Sequence, residues 1–141
     1  MAKSILFVCN LNAVRSVLAE HITNDRYGDE MTAQSCGVIA GSPDGYAATV
    51  GLEHHIDITA HESRYLSDLD VGQFDEIISF SQDAANEVAR LSLPPHTTTA
   101  LWEVSDFAGI GNDRDERLII YRQVFQDIEA HLLRHFGPQK G

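Results

Sequence analysis

Cys9 and Arg15 are separated by five residues in "CNLNAVRS", and Ser16 follows at once. The stretch comes directly after the apolar run "SILFV". A thiol at the end of a buried strand, followed by a helix, sits where backbone N–H groups and the helix dipole favour an anion. The same field, with a nearby guanidinium, lowers the pKa of a thiol below its free value of ~8.5 and turns it into a nucleophile. Arg15 is far enough along the chain for the backbone to curl around a phosphate-sized anion, and its planar fork matches two oxygens of such a group. Asn10 and Asn12 tolerate the left-handed backbone that a tight cradle requires. The plain alternative is a buried structural thiol beside an ordinary strand-to-helix turn. Spacing alone does not separate the two readings, but placement on a strand–loop–helix, with Ser16 after Arg15, favours the catalytic one.

The surrounding pattern supplies that placement. Ser4 to Cys9 is a continuous apolar run suited to a strand buried on both faces. From Val14 the period changes, with Val14, Val17, Leu18 and Ile22 at helical spacing and Gly28 as a stop. Further strands are expected over 32–38, 74–80 and 98–104, and further helices over 47–53 and 83–91. "YLSDLD" adds a short helical turn. A long terminal helix carries Leu118, Tyr121, Phe125, Ile128 and Leu132 on one stripe. Alternating strands and helices imply an α/β fold with a parallel sheet covered on both faces. Such a sheet binds ligands outside the carboxyl ends of its strands, where "CNLNAVRS" lies.

Bulk properties narrow the function. The 141 residues suit a single domain, and 43% hydrophobic with 22% charged residues reads as globular. No apolar run approaches the ~20 residues of a membrane span, and the N-terminus lacks a secretory pattern, so a cytoplasmic protein without membrane partners is expected. A formal charge of −11 argues against nucleic acid as a partner. Two cysteines, Cys9 and Cys36, are too few for a disulfide framework or a structural zinc site. The neighbouring His54 and His55 point about 100° apart on a helix and are read as satisfied or solvated. Trp102, in "ALWEV", is read as core. No metal or cofactor is expected. The oligomeric state is left open.

"ILFVCNLNAVRSVLAE" resembles the phosphate-binding loop and first helix of the low-molecular-weight protein tyrosine phosphatases, whose pattern runs Val-Cys-x-Gly-Asn-x-x-Arg-Ser. Cys9, Asn12, Arg15 and Ser16 match. "SCGV" resembles the family's Ser-Ala-Gly segment and places Ser35. "HESR" resembles its His-x-x-Arg and places His61 and Arg64. "SDFAG" lies where the family carries Asp-Pro, which places Asp106.

The resemblance implies a three-layer sandwich around a four-stranded parallel sheet of order 2-1-3-4. It implies Cys9 as nucleophile forming a phosphocysteine, Asp106 as general acid and then base, and Arg15 gripping the phosphoryl group. The loop Asn10, Leu11, Asn12, Ala13, Val14, Arg15 and Ser16 would bind phosphate. Asn12, in a left-handed conformation, would be braced by Ser16, Ser35 and His61. The implied partner is a phosphorylated protein or a small phosphomonoester.

The chain departs from the pattern at several positions. Leu11 replaces the loop glycine, and would be strained if that position needed positive φ. Val14 stands where many members have a second cysteine, which leaves Cys9 open to over-oxidation. Phe107 and Ala108 replace the proline and the pocket-walling tyrosine after the acid, which weakens the implication of phosphotyrosine specificity. Cys36, next to Ser35 on a strand, points to the opposite face and reads as a small core residue. Asp113 is a second candidate acid, or else a cap of the last helix. An arsenate reductase on the same fold is the nearest alternative, although "IISFSQDAANEVARL" contains no cysteine for a thiol relay. A phospho-ligand binding module without turnover, or a phosphocysteine carrier, is a further one, with Arg15 and Asp106 arguing against the carrier.

Overall fold

A continuous apolar core strand organises the fold. In the computed structural model, which describes residues 3–39, 41, 44–104 and 111–138, β1 (Lys3–Leu11) is buried from Ile5 to Cys9. It lies between β2 (Met31–Ile39) on one side and β3 (Glu76–Ser79) on the other, with β4 (Thr98–Leu101) outside β3. All three pairings are parallel, giving the order β2-β1-β3-β4. The chain therefore leaves β1 first to one side and later to the other, and the carboxyl end of β1 is the switch point where such sheets open a crevice.

Strand alternation divides β1 between two cores. Ile5, Phe7 and Cys9 face a layer built from α1 (Arg15–Tyr27), α2 (Gly45–Glu53) and α4 (Arg114–Phe136). Leu6 and Val8 face a second layer containing Cys36, Leu66, Phe74, Ile77 and two residues of α3 (Gln82–Ala89), Ala84 and Val88. The expected stripe of α4 is buried at all five positions, with Val124 beside it. Asp113 caps α4 by accepting from Glu116 N at 2.9 Å. A 3₁₀ turn, Leu66–Asp68, stands where "YLSDLD" promised a helical turn, and a second, Val71–Gln73, follows it.

Several boundaries differ from expectation, β3 being shorter at both ends than 74–80, and two of the differences bear on the site. β4 stops at Leu101, because Trp102 turns inward to pack against Phe7 and Phe80 at centroid distances of 6.2 and 6.0 Å. β1 runs on through Cys9 to Leu11, because Cys9 pairs with Gly37 and Leu11 with Ile39. The first residues of the expected loop are thus held as strand.

Gly37 makes this extension feasible. A Cβ at that position would meet Ile39 O at 2.5 Å, Asn12 N at 2.6 Å and Asn10 O at 3.0 Å, all of them backbone atoms. Glycine inside a strand marks such a close approach of two backbones. Gly37→Ala is expected to displace the 10–12 segment and to destabilise the fold by about 2 kcal/mol or more, the scale of overpacking. Urea unfolding checks this, and an unchanged midpoint would refute the steric argument.

Candidate active site

The turn from β1 into α1 leaves the helix start open. Val14 occupies the N-cap position with no side-chain cap, and the first turn holds no acidic residue. The first N–H groups of α1 consequently keep their positive partial charge for another acceptor. Cys9 lies beside that end, 1% exposed, with its Sγ 2.8 Å from the Ser16 hydroxyl. The thiol donates to Leu11 O at 2.6 Å, and the same carbonyl accepts from Ala13 N at 2.8 Å in a tight turn around Asn12.

Asn12 is completely buried, and its carboxamide joins three segments. Nδ2 donates to Ser16 Oγ at 2.8 Å and to Ser35 Oγ at 3.0 Å. Oδ1 accepts from His61 Nε2 at 2.8 Å and from Arg64 N at 3.1 Å. Its backbone carbonyl accepts from the Ser63 hydroxyl at 2.6 Å. The structure thus brings Asn12, Ser16, Ser35 and His61 into one network. Its backbone is not left-handed: among described non-glycine residues only His55 has positive φ, at 62°. The side-chain hydrogen bonds hold the turn in place, so neither Asn12 nor Leu11 needs the strained conformation considered from the sequence. Asn10 acts elsewhere, accepting from Ser81 Oγ at 2.7 Å, while Ser81 also caps α3.

Behind Asn12 the network ends on a buried carboxylate. Ser35 Oγ donates to Glu20 Oε1 at 2.8 Å, and Arg64 Nη1 donates to the same oxygen at 3.0 Å. Burial works against the Glu20 charge. The pull of His61, Ser35 and His21 outweighs it and holds the carboxyl below its ordinary range. Glu20, Ser63, Gly37 and the Arg64 contacts were missed by sequence reasoning. Glu20 carried the available signal, since it falls four residues after Ser16 and three before Thr23, on one buried polar face of α1.

Arg15 is 5% exposed, and its Nη1 donates to Phe80 O at 3.2 Å and to Val104 O at 3.0 Å. The guanidinium is therefore turned onto the ends of β3 and β4. The Cys9 thiol differs from the sequence expectation too. Burial pushes it above its ordinary value, and the Ser16 hydrogen bonds, the Arg15 charge and the Ala13 amide only partly offset that rise. The reason is local, because the sulfur is almost wholly buried and its thiol is engaged by the Leu11 carbonyl.

Cys36 lies in the opposite core, and its thiol is pushed up to about 12, first by burial and then by the charge of Cys9. Both cysteines are free. Asp113 is committed to capping α4. Asp106, Phe107 and Ala108 lie outside the described residues. His54 stacks on Phe125 at 4.0 Å, and Trp102 is buried against Phe7 and Phe80.

Residues 4–137 match the model of the low molecular weight phosphotyrosine protein phosphatase family. The chain belongs to this family. An arsenate reductase of Bacillus licheniformis is 27% identical over 132 residues, 94% of each chain. The arsenate reductase of Archaeoglobus fulgidus superposes with a TM-score of 0.74 at 25% identity, covering 94% of this chain and 98% of the other. The tyrosine phosphatase Wzb of Escherichia coli K30, solved with sulphate, superposes with a TM-score of 0.77 at 19% identity, covering 95% and 96%. That last likeness concerns the fold alone. Among described residues, no helix of this family member is long and apolar enough to cross a membrane.

Two variants probe the brace. Asn12→Ala strands the two serines, His61 and Arg64 N without their partner, and is expected to destabilise the protein by about 2–4 kcal/mol in urea unfolding. Ser16→Ala removes the strongest influence lowering the Cys9 pKa. Iodoacetamide alkylation of Cys9 is expected to shift to higher pH in Ser16→Ala than in wild type. An unshifted profile would show that the hydroxyl does not act on the sulfur.

Proposed function

We propose that this chain is a cysteine-dependent phosphomonoesterase that works through a phosphocysteine. The observation that carries the reading is the placement of Cys9 Sγ beside the uncapped start of α1, hydrogen-bonded to Ser16, in a chain of the phosphatase family. Cys9 attacks phosphorus in line with the leaving oxygen, and its sulfur takes the phosphoryl group. The α1 amides and the Arg15 guanidinium hold the equatorial oxygens, whose charge persists through a loose transition state. Asp106 protonates the leaving oxygen and then takes a proton from the water that cleaves the phosphocysteine.

Substrate binding has a structural requirement. The Leu11 carbonyl now faces the thiol, and Arg15 is bound to the carbonyls of Phe80 and Val104. An arriving dianion repels the Leu11 carbonyl and attracts Arg15, so binding turns the Leu11–Asn12 peptide outward and the guanidinium inward. The thiolate gains N–H neighbours in place of a carbonyl, and its pKa falls as the site forms. Leu11 and Ile39 are paired neighbours at the ends of β1 and β2 and are both exposed. They offer an apolar rim to the organic part of a phosphoester.

Arsenate reduction is the second reading, favoured by the names of the relatives. Arsenate has the shape and charge of phosphate and would use the same cradle. The chain has two cysteines, and Cys36 faces the core opposite to Cys9. In this reading the reducing thiols therefore come from outside the chain.

One experiment separates the two. p-Nitrophenyl phosphate hydrolysis and thiol-dependent arsenite production are measured for wild type, Cys9→Ser and Asp106→Ala. The phosphatase reading expects hydrolysis by wild type, none by Cys9→Ser, and a loss of roughly 10²–10⁴-fold in Asp106→Ala. Arsenite production without ester hydrolysis would assign the site to arsenate instead.

A further inference from the structure

The network behind Asn12 ends on three donor atoms that the phosphoryl chemistry does not use. Glu20 Oε2, His21 Nε2 and His61 Nδ1 converge on one point, with His21 Nε2 3.0 Å from His61 Nδ1. Glu20 Oε2 lies 3.2 Å from the His21 nitrogen and 3.7 Å from the His61 nitrogen. In a tetrahedral zinc site with bonds of ~2.0–2.1 Å, neighbouring ligand atoms are about 3.3–3.4 Å apart. The three separations bracket that edge, so an ion could reach all three atoms without rearrangement of the backbone. We propose that Glu20, His21 and His61 form a three-ligand site for a zinc-class divalent ion, tied to the phosphate loop through Asn12.

The hydrogen bonds around the cluster set the donors in the required state. Asn12 Nδ2 is engaged by two serines, so its Oδ1 accepts, and His61 Nε2 must carry the proton it donates there. In the neutral ring that leaves the His61 Nδ1 lone pair directed at the cluster. A ligating histidine whose other N–H is held by an outer acceptor is the usual arrangement at protein metal sites. Glu20 is arranged in the same way. Ser35 and Arg64 take Oε1, which leaves Oε2 for the cluster. Without an ion, His21 Nε2–H donates to His61 Nδ1; to ligate through Nε2 the neutral His21 ring passes that proton to its own Nδ1 by way of solvent, with no net release.

Charge and access are compatible with a cation. The Arg64 guanidinium stands on the far oxygen of Glu20 and opposes an incoming ion. Glu20 balances that guanidinium, Asp57 also acts on His21, and the chain as a whole carries −11. His61 and Glu20 are buried, whereas the His21 side chain is 27% exposed, leaving one side of the site open for entry and for a water ligand. Two imidazole nitrogens with one carboxylate oxygen suit an ion of the zinc class, and a single carboxylate is too few for calcium or magnesium. An ion here pins His61, and through its Nε2–H the oxygen of Asn12. Its effect is to stiffen the brace of the phosphate loop.

The test uses the full-length Cys9→Ser protein, treated with chelator, so that the site thiol does not compete for metal. Isothermal titration with Zn²⁺ is expected to show one site, and zinc is expected to raise the melting temperature. His21→Ala in the same background is expected to weaken binding by more than ~10-fold, since even the loss of outer-shell partners costs that much. It also removes the zinc-dependent rise in melting temperature. Circular dichroism verifies its fold, and His21→Gln replaces it if it does not fold. Cobalt titration supplies a second readout, the visible absorption of four- or five-coordinate Co²⁺, which His21→Ala abolishes. His135→Gln serves as a control, because His135 and His131 flank Trp102 and offer a rival imidazole pair. Absence of zinc binding by Cys9→Ser, unchanged binding by the His21 variants, or a loss confined to His135→Gln would overturn the proposal.

Discussion

Asn12 has no exposed surface, and its carboxamide spends its hydrogen-bonding capacity on groups from three separate parts of the chain. Ser16 comes from α1, Ser35 from β2, and His61 and Arg64 from the segment after α2. A buried amide without partners costs several kcal/mol, so each segment must arrive in register for the turn to exist at all. The turn in turn fixes where β1 ends and where α1 begins. The spacing between Cys9 and the first helical N–H groups is therefore set by polar contacts as well as by the apolar core.

Those contacts come close together because Gly37 has no side chain. β2 runs against the 10–12 segment at distances that exclude a Cβ, and the Gly37 amide donates to Arg64 O at 2.9 Å. The approach brings Ser35 beneath Asn12 and Arg64 onto Glu20. A helix with so many buried polar residues would be unfavourable alone. Arg15, Ser16, Glu20 and Thr23 are all buried on α1. The first three find partners in neighbouring segments, and the burial of Ile5, Phe7, Val17, Leu18, Ile22 and Phe125 supplies the driving force that holds them there.

The site also faces an electrostatic conflict. In the proposed reading a chain of net charge −11 binds a dianion, so attraction has to come from groups within a few ångströms, where field and geometry act together. In that reading Arg15 and the amides at the start of α1 are those groups. In the arrangement seen here Arg15 is held by two carbonyls and the thiol by a third. Such contacts satisfy buried donors and are weaker than contacts to a dianion, so an oxyanion can displace them.

The order of strands and helices, the switch point at Cys9 and the stripe of α4 were legible in the sequence. The elements and the α4 stripe follow from hydrophobic period and turn residues over short stretches of chain, and the switch point from the sheet order that the family resemblance implied. The motif residues Cys9, Asn12, Arg15, Ser16, Ser35 and His61 could also be chosen, because their types and spacing match a known pattern. Contacts between segments far apart in sequence decided the rest. Glu20 meets Arg64 across 44 residues and Ser35 across 15, and no local pattern encodes such meetings. The direction of the Leu11 carbonyl, the turn of Arg15 onto Phe80 and Val104, and the raised thiol pKa all depend on which groups tertiary packing leaves near the sulfur. Local sequence determined the elements and the reactive residue types, since period and propensity act over a few turns of chain. Protonation and orientation at the site were decided by the tertiary structure, since both depend on burial and on partners that only folding brings within hydrogen-bonding distance.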